Sequence, residues 1–244
     1  MEQYFKGKTV LVTGAGWGIG AAIALLYAAF GAKVIVSDTS RKGGRDTVAK
    51  IKDQKGDATY IQTDVSNAAA CEKLIKKTIR TYGSIDIACN NSAIFTKPLY
   101  PGGKDMEAFG NEVSLNLNGL NNCMQYEVEA MLKQGGGIIV NTSSIVGAID
   151  IASLSQYVDA KYGMKVLLQK TPGEYPARGI RINTITPVFI NIALMKATIQ
   201  TKKERRIRSS PIDRPGMVQE VTDLVLWLSS NEAQLLPTVF NDNN

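Results

Sequence analysis

The 244-residue sequence predicts an α/β fold, a doubly wound parallel sheet of about seven strands with helices on both faces. Three observations predict it. Short β-branched apolar runs alternate with longer amphipathic segments along the whole chain, the pattern of strands joined by crossover helices. The first run passes through a glycine-rich turn directly into a helix. No linker, repeat or low-complexity tract interrupts the alternation, so residues 1–244 are expected to form one domain.

Taken in order, Lys8–Thr13 reads as a short buried strand. Gly14-Ala-Gly-Trp-Gly-Ile-Gly20 follows it. Ile19, Ile23, Leu26, Tyr27 and Phe30 then recur with a helical period up to Gly31. Lys33–Asp38 is the second strand. Next come a helix over Gly43–Lys55, a strand at Ala58–Gln62, a helix over Asn67–Tyr82 and a strand at Ile85–Cys89. A long helix lies within Met106–Lys133, although Gly110, Asn116, Asn118 and Gly119 lower its propensity. The remaining strands are Gly137–Thr142, Ile180–Ile185 and a short one around Thr238–Phe240; the remaining helices are Ser155–Glu174 and Val218–Ser229.

Composition narrows the chemistry. At 44% hydrophobic and 20% charged residues the chain is an ordinary globular one. No window approaches a membrane span and no apolar leader is visible, so no membrane partner is expected. Cys71, Cys89 and Cys123 are odd in number and far apart in sequence, which fits reduced thiols in a cytoplasmic protein. The chain has no histidine, which removes His-based triads and His-ligated zinc. Acid/base work must fall to Tyr, Lys, Asp, Glu or Cys. Much of the net charge of +6 sits in Lys202, Lys203, Arg205, Arg206 and Arg208. A solvated helix face explains these better than nucleic-acid binding, for which no motif is present.

The first strand–turn–helix–strand unit carries the first functional signal. Glycines permit a sharp turn and the close approach of a pyrophosphate, which then meets the free amides of the helix N-terminus. The spacing is Thr13-Gly14-x3-Gly18-x-Gly20, with Ile19 where the common G-x-G-x-x-G pattern would differ. Asp38 ends the second strand 18 residues past Gly20, where a carboxylate accepts from the adenosine ribose hydroxyls and repels a 2′-phosphate. The unit predicts dinucleotide binding in a Rossmann-like fold, with NAD(H) as cofactor.

The second signal is a tyrosine four residues before a lysine. On a helix this places a phenol beside an ammonium, which favours the phenolate and makes tyrosine usable in proton transfer. Three such pairs exist: Tyr4/Lys8, Tyr100/Lys104 and Tyr157/Lys161. Pro101-Gly-Gly103 denies the second a helix, and the first precedes the opening strand. The third follows a strand ending in Ser143-Ser144.

With these marks in register, the sequence resembles the short-chain dehydrogenase/reductase family over nearly its whole length. The marks are Thr13-Gly14-x3-Gly18-x-Gly20, Asp64-Val65, Asn90-Asn91-Ser92-Ala93, Asn116, Asn141-Thr-Ser143-Ser144 and Tyr157-x3-Lys161, with 13 residues between Ser144 and Tyr157. The resemblance implies that Tyr157 exchanges a proton with the substrate oxygen. Lys161 lowers the tyrosine pKa and binds the nicotinamide ribose, Ser144 hydrogen-bonds the substrate, and Asn116 holds a water in a proton relay. It further implies cofactor contacts from Gly14, Trp17, Gly18, Ile19, Gly20, Asp38, Asp64, Val65, Asn91, Ser92, Ala93, Tyr157, Lys161, Pro187, Val188 and Ile190. Trp17 stands where NADPH-preferring relatives often carry a basic residue.

The implied activity is interconversion of a secondary alcohol and its ketone, with a small-molecule substrate lying under a lid at Val188–Arg214. The apolar start of that lid, Phe189, Ile190, Ile192, Leu194 and Met195, suits an apolar or cyclic carbonyl compound. The cofactor half would span about 1–150 and the catalytic and lid half about 151–244. Two other readings share the motifs. One is a 3-oxoacyl-carrier-protein-type reductase. The other is a catalytically weak dinucleotide-binding scaffold, because Ala93, Val188 and Ile192 replace the family's usual Gly, Gly and Thr. By analogy the assembly is a homotetramer, formed through the 106–133 and 155–174 helices and the C-terminal strand.

Overall fold

The computed structural model describes residues 4–93, 114–143, 175–187, 190 and 214–234. Among these lie six strands: β1 Thr9–Thr13, β2 Lys33–Asp38, β3 Asp57–Gln62, β4 Ile87–Asn90, β5 Gly137–Thr142 and β6 Ile180–Ile185. The α-helices among them are α1 Gly18–Ala29, α2 Arg41–Asp53, α3 Ala68–Tyr82, α4 Gly119–Gln134 and α5 Val218–Leu228. The strand expected near 238–240 and the helix expected over 155–174 lie outside the described residues.

The strands form one parallel sheet in the order β3-β2-β1-β4-β5-β6. β1 is the hinge of this order: the chain winds outward through β2 and β3, then restarts on its other side with β4. Strand order reverses between β1 and β4, and in sheets of this kind ligands bind in the crevice beyond the carboxyl ends of the strands at that reversal.

The apolar strands divide their side chains between two layers. Val10, Val12, Val34 and Val36 face one layer with Ile23 and Tyr27 of α1, Ile51 of α2 and Val225 of α5. Leu11, Ile35 and Ile139 face the other with Leu74 of α3 and Leu120 and Met131 of α4. Strands covered on both faces have no solvent side, which is why they read as continuous apolar runs. Full burial of each such side chain stabilises the fold by about 1.5–3 kcal/mol.

Helix ends follow local chemistry. The Ser40 hydroxyl accepts from the Gly43 amide at 3.1 Å, so α2 begins at Arg41, two residues before the periodic pattern suggests. Asn67 caps α3 by accepting from the Ala70 amide at 3.0 Å, and Gly83 at φ +93° ends it. The low-propensity Asn116-Leu-Asn118 stretch forms a single π-helical turn, Ser114–Asn118, leading into α4. Such turns recur at functional sites. No helix among the described residues is long and apolar enough to cross a membrane.

Candidate active site

The crevice between β1 and β4 is built by the glycine-rich turn on one side and by Asn91-Ser92 on the other. The Thr13 hydroxyl, buried at the end of β1, accepts from the backbone amides of Asn91 at 3.2 Å and Ser92 at 3.3 Å. Asn91 Nδ2 donates to the Gly14 carbonyl at 3.4 Å. Gly14 has φ +63°, and a Cβ there would stand 2.8 Å from Ser92 Cα. The two walls therefore meet at a distance only glycine allows. Ala93 is exposed at the rim.

A second set of bonds shapes the turn from behind. Ala15 N donates to the Ser37 carbonyl at 3.0 Å, and Thr47 Oγ1 of α2 donates to the Ala15 carbonyl at 2.9 Å. The Asp38 carboxylate accepts from Gly16 N through Oδ2 and from Ser40 N through Oδ1, both at 2.8 Å. A Cβ on Gly16 would run into this carboxylate, and a Cβ on Gly43 would stand 2.8 Å from the Gly16 carbonyl oxygen. A Cβ on Gly20 would overlap the Gly14 carbonyl. Gly18 is the opposite case. It has φ +59°, and nothing among the described residues lies within 4 Å of the position of a Cβ.

That open space tests the fit of a dinucleotide. Gly18, Ile19 and Gly20 are the first three residues of α1, whose amides have no carbonyl a turn back to bond. A bare, positive-φ glycine over open space at a helix N-terminus suits a pyrophosphate, and the buried Asp38 carboxylate braces the same turn. The residues present fit the group. Trp17, the N-cap residue, is 50% exposed beside this opening, while Ile19 packs back against the core.

The other expected contacts divide. Asp64 is exposed and Oδ1 accepts from Ser66 N and Ser66 Oγ, shaping the turn before α3. The Val65 side chain is buried with Cys71 and Cys123, and a Cβ on Gly119 would stand 2.7 Å from Val65 Cγ2. Val65 is thus fixed by packing beneath α4. Pro187 is half-buried just past β6, and Ile190 makes an isolated parallel bridge with Gly216. Asn116 is 1% exposed within the π turn. Ser144, Tyr157, Lys161 and Val188 lie outside the described residues.

Two arrangements are not expected from the sequence reading. Cys71 and Cys123, distant in sequence, meet with their sulfurs 3.8 Å apart as free thiols. Glu127 of α4 is fully buried, and Asn90 Nδ2 donates to its Oε2 at 2.8 Å and to Asn141 Oδ1 at 3.0 Å. Burial pushes the Glu127 carboxyl up to about 7 against the opposing pull of the Asn90 amide. Among the described residues, Asn90 Oδ1 and Glu127 Oε1 have no hydrogen-bond partner. The available signal was positional: Glu127 sits between Met124 and Met131 on the apolar face of its helix.

The whole arrangement has close counterparts. Residues 8–204 match the model of the short chain dehydrogenase family. A cyclohexanol dehydrogenase of Acinetobacter sp. is 34% identical over 236 residues, covering 97% of this chain and 93% of the relative. A 3-oxoacyl-acyl-carrier-protein reductase of Staphylococcus aureus is 33% identical over 230 residues, covering 94% of this chain and 93% of the relative. The crystal structure of levodione reductase superposes with a TM-score of 0.90 at 32% identity, covering 96% of this chain and 95% of that one. Likeness of this extent over the whole fold makes the chain a member of the short-chain dehydrogenase family of oxidoreductases.

Proposed function

We propose that the protein interconverts a secondary alcohol and its ketone with NAD(H), preferring an apolar cyclic substrate. The observation that carries this reading is Asp38. Its carboxylate stands at the turn 2.8 Å from Gly16 N. Each of its oxygens accepts one bond from the chain, and an ionised carboxylate offers about four lone-pair sites. Capacity for a ribose diol remains, whereas a 2′-phosphate at this rim meets like charge. The similarity to a cyclohexanol dehydrogenase and the apolar Phe189, Ile190, Ile192, Leu194 and Met195 support the substrate class.

The nicotinamide, when bound, supplies or takes up the hydride. The chain does the rest. Ser144 and Tyr157 hold the substrate oxygen; in the reducing direction the carbonyl π bond breaks, the Tyr157 hydroxyl proton passes to the oxygen, and a new O–H bond forms as the carbon gains its C–H bond. Lys161 stabilises the phenolate left behind, and Asn116 orders the water that returns its proton. The cofactor contacts are those of Gly14, Trp17, Gly18, Ile19, Gly20, Asp38, Asp64, Val65, Asn91, Ser92, Ala93, Pro187, Val188 and Ile190. The assembly is a cytoplasmic homotetramer.

The test compares wild type with Tyr157→Phe on cyclic and open-chain ketones, using NADH and NADPH. The expected result is NADH-dependent reduction of cyclic ketones, lowered at least 100-fold in the variant. Equal rates would remove the assigned mechanism, and a preference for NADPH would remove the role given to Asp38. The similarity to the Staphylococcus aureus reductase makes carrier-linked 3-oxoacyl substrates the alternative to include. Cofactor binding without turnover of any carbonyl would instead favour a scaffold.

A further inference from the structure

The buried Glu127–Asn90–Asn141 cluster has been given no chemical role of its own, yet each element it joins leads directly to the site. Asn90 is the last residue of β4, immediately before Asn91 and Ser92, which close on Thr13 and Gly14. Asn141 is its registered partner on β5, two residues before Ser143, whose amide donates to the Ile185 carbonyl at 2.8 Å. Glu127 belongs to α4, the helix that continues from the π turn holding Asn116. One amide nitrogen, Asn90 Nδ2, spends its hydrogens on both neighbours, at 2.8 and 3.0 Å. Asn141 Nδ2 in turn reaches Met124 Sδ at 3.5 Å.

Nothing in the packing calls for a carboxyl here. The neighbouring buried residues of α4 are Cys123, Met124, Val128 and Met131, and a leucine would fill the position without the cost of a buried acid. A residue kept against that cost fixes geometry, and the tolerance at stake is small: with a Cβ position at Gly14 only 2.8 Å from Ser92 Cα, a shift of a few tenths of an ångström at the end of β4 changes the crevice.

We propose that Glu127 is a positioning residue that, through Asn90, sets the spacing between the Asn91-Ser92 wall of the cofactor crevice and the Ser143 end of β5. This rests on the dinucleotide-dependent function proposed above. Loss of the acceptor frees the Asn90 side chain to rotate away from Asn141, and the two strand ends lose their common tie.

The test uses the full-length protein at pH 6, where a glutamine closely mimics the protonated acid, and at a temperature well below each variant's Tm. NADH affinity is read by fluorescence titration, and kcat and KM with the best ketone for the wild type. Glu127→Leu is expected to raise the NADH Kd and lower kcat/KM by at least five-fold each. Glu127→Gln, which keeps an oxygen toward Asn90 Nδ2, restores both to within about two-fold. Asn90→Ala breaks the same tie from the strand side and carries the test alone if Glu127→Leu does not fold. Leucine and alanine variants that lose Tm but keep Kd, kcat and KM within two-fold would overturn the inference and leave the cluster a purely structural one. A wild type that binds neither NADH nor NADPH would overturn the functional reading itself, and the inference with it.

Discussion

Under the proposed function Asp38 has two tasks in one side chain, because the carboxylate assigned to the cofactor ribose also holds Gly16 N and Ser40 N. Hydrogen bonds to a charged partner contribute about 1.5–3 kcal/mol each. Asp38→Ala is therefore expected to raise KM for NADH at least ten-fold while changing KM for NADPH far less; a parallel rise for both cofactors would show that only the turn was damaged. Glycines in the same turn separate by steric room. Gly18→Ala meets open space and incurs only the left-handed backbone cost, about 1–2 kcal/mol. Gly20→Ala drives a methyl into the Gly14 carbonyl and is expected to cost more than that in chemical denaturation, with NADH binding lost. These glycines, like Asp38, were legible in the sequence because chain order places them. Glu127 was not, since glutamate is ordinarily a surface residue and its helical spacing from Met124 and Met131 was its sole mark.

Elements were legible where apolar runs were bounded by sharp stops. Lys33–Asp38, Gly137–Thr142 and Ile180–Ile185 coincide with β2, β5 and β6. Boundaries moved where a cap or a register intervened. Ser40 starts α2 early, and β4 runs over Ile87–Asn90 rather than 85–89 because its pairing with β1 begins at Ile87. The Asn116 stretch read as a weakened helix and is a π turn, a distinction propensity does not carry. α4 also carries a pH dependence. The folded Glu127 carboxyl lies near 7 against about 4.3 for the unfolded chain; among the described residues the Cys89 thiol, held up by burial, and the Cys123 thiol, held up by its Cys71 contact and by burial, feel its charge. The native state thus binds the extra proton. Its stabilising effect is full below about pH 4.3 and is lost as pH rises through about 7, a span of roughly 4 kcal/mol. Glu127→Gln is expected to flatten this slope in denaturant unfolding measured between pH 5 and 8; an unchanged slope would assign it to another group.

Across the whole molecule, a single buried tyrosine joins distant parts of the chain. Tyr27 of α1 hydrogen-bonds Ser229 Oγ at 2.6 Å, just beyond α5, and packs edge-on against Phe5. Tyr27→Phe keeps the ring and removes the bond, while Ser229 Oγ still donates to the Val225 carbonyl at 2.8 Å. The expected loss is about 1 kcal/mol, read as a lower Tm with unchanged NADH affinity; an affinity change would mean that α1 itself had moved. The doubly wound architecture was legible at this scale because alternation of strands and helices leaves few ways to wind the chain. The cost of approach between Gly43 and Gly16, whose carbonyl oxygen stands 2.8 Å from any Cβ at position 43, was not. It means that tolerance to amino-acid replacement does not follow the motif boundaries. In a saturation library selected for cofactor-dependent growth, position 43 should be as depleted of side chains as position 14, although it lies in α2, outside the glycine-rich turn, and belongs to no signature.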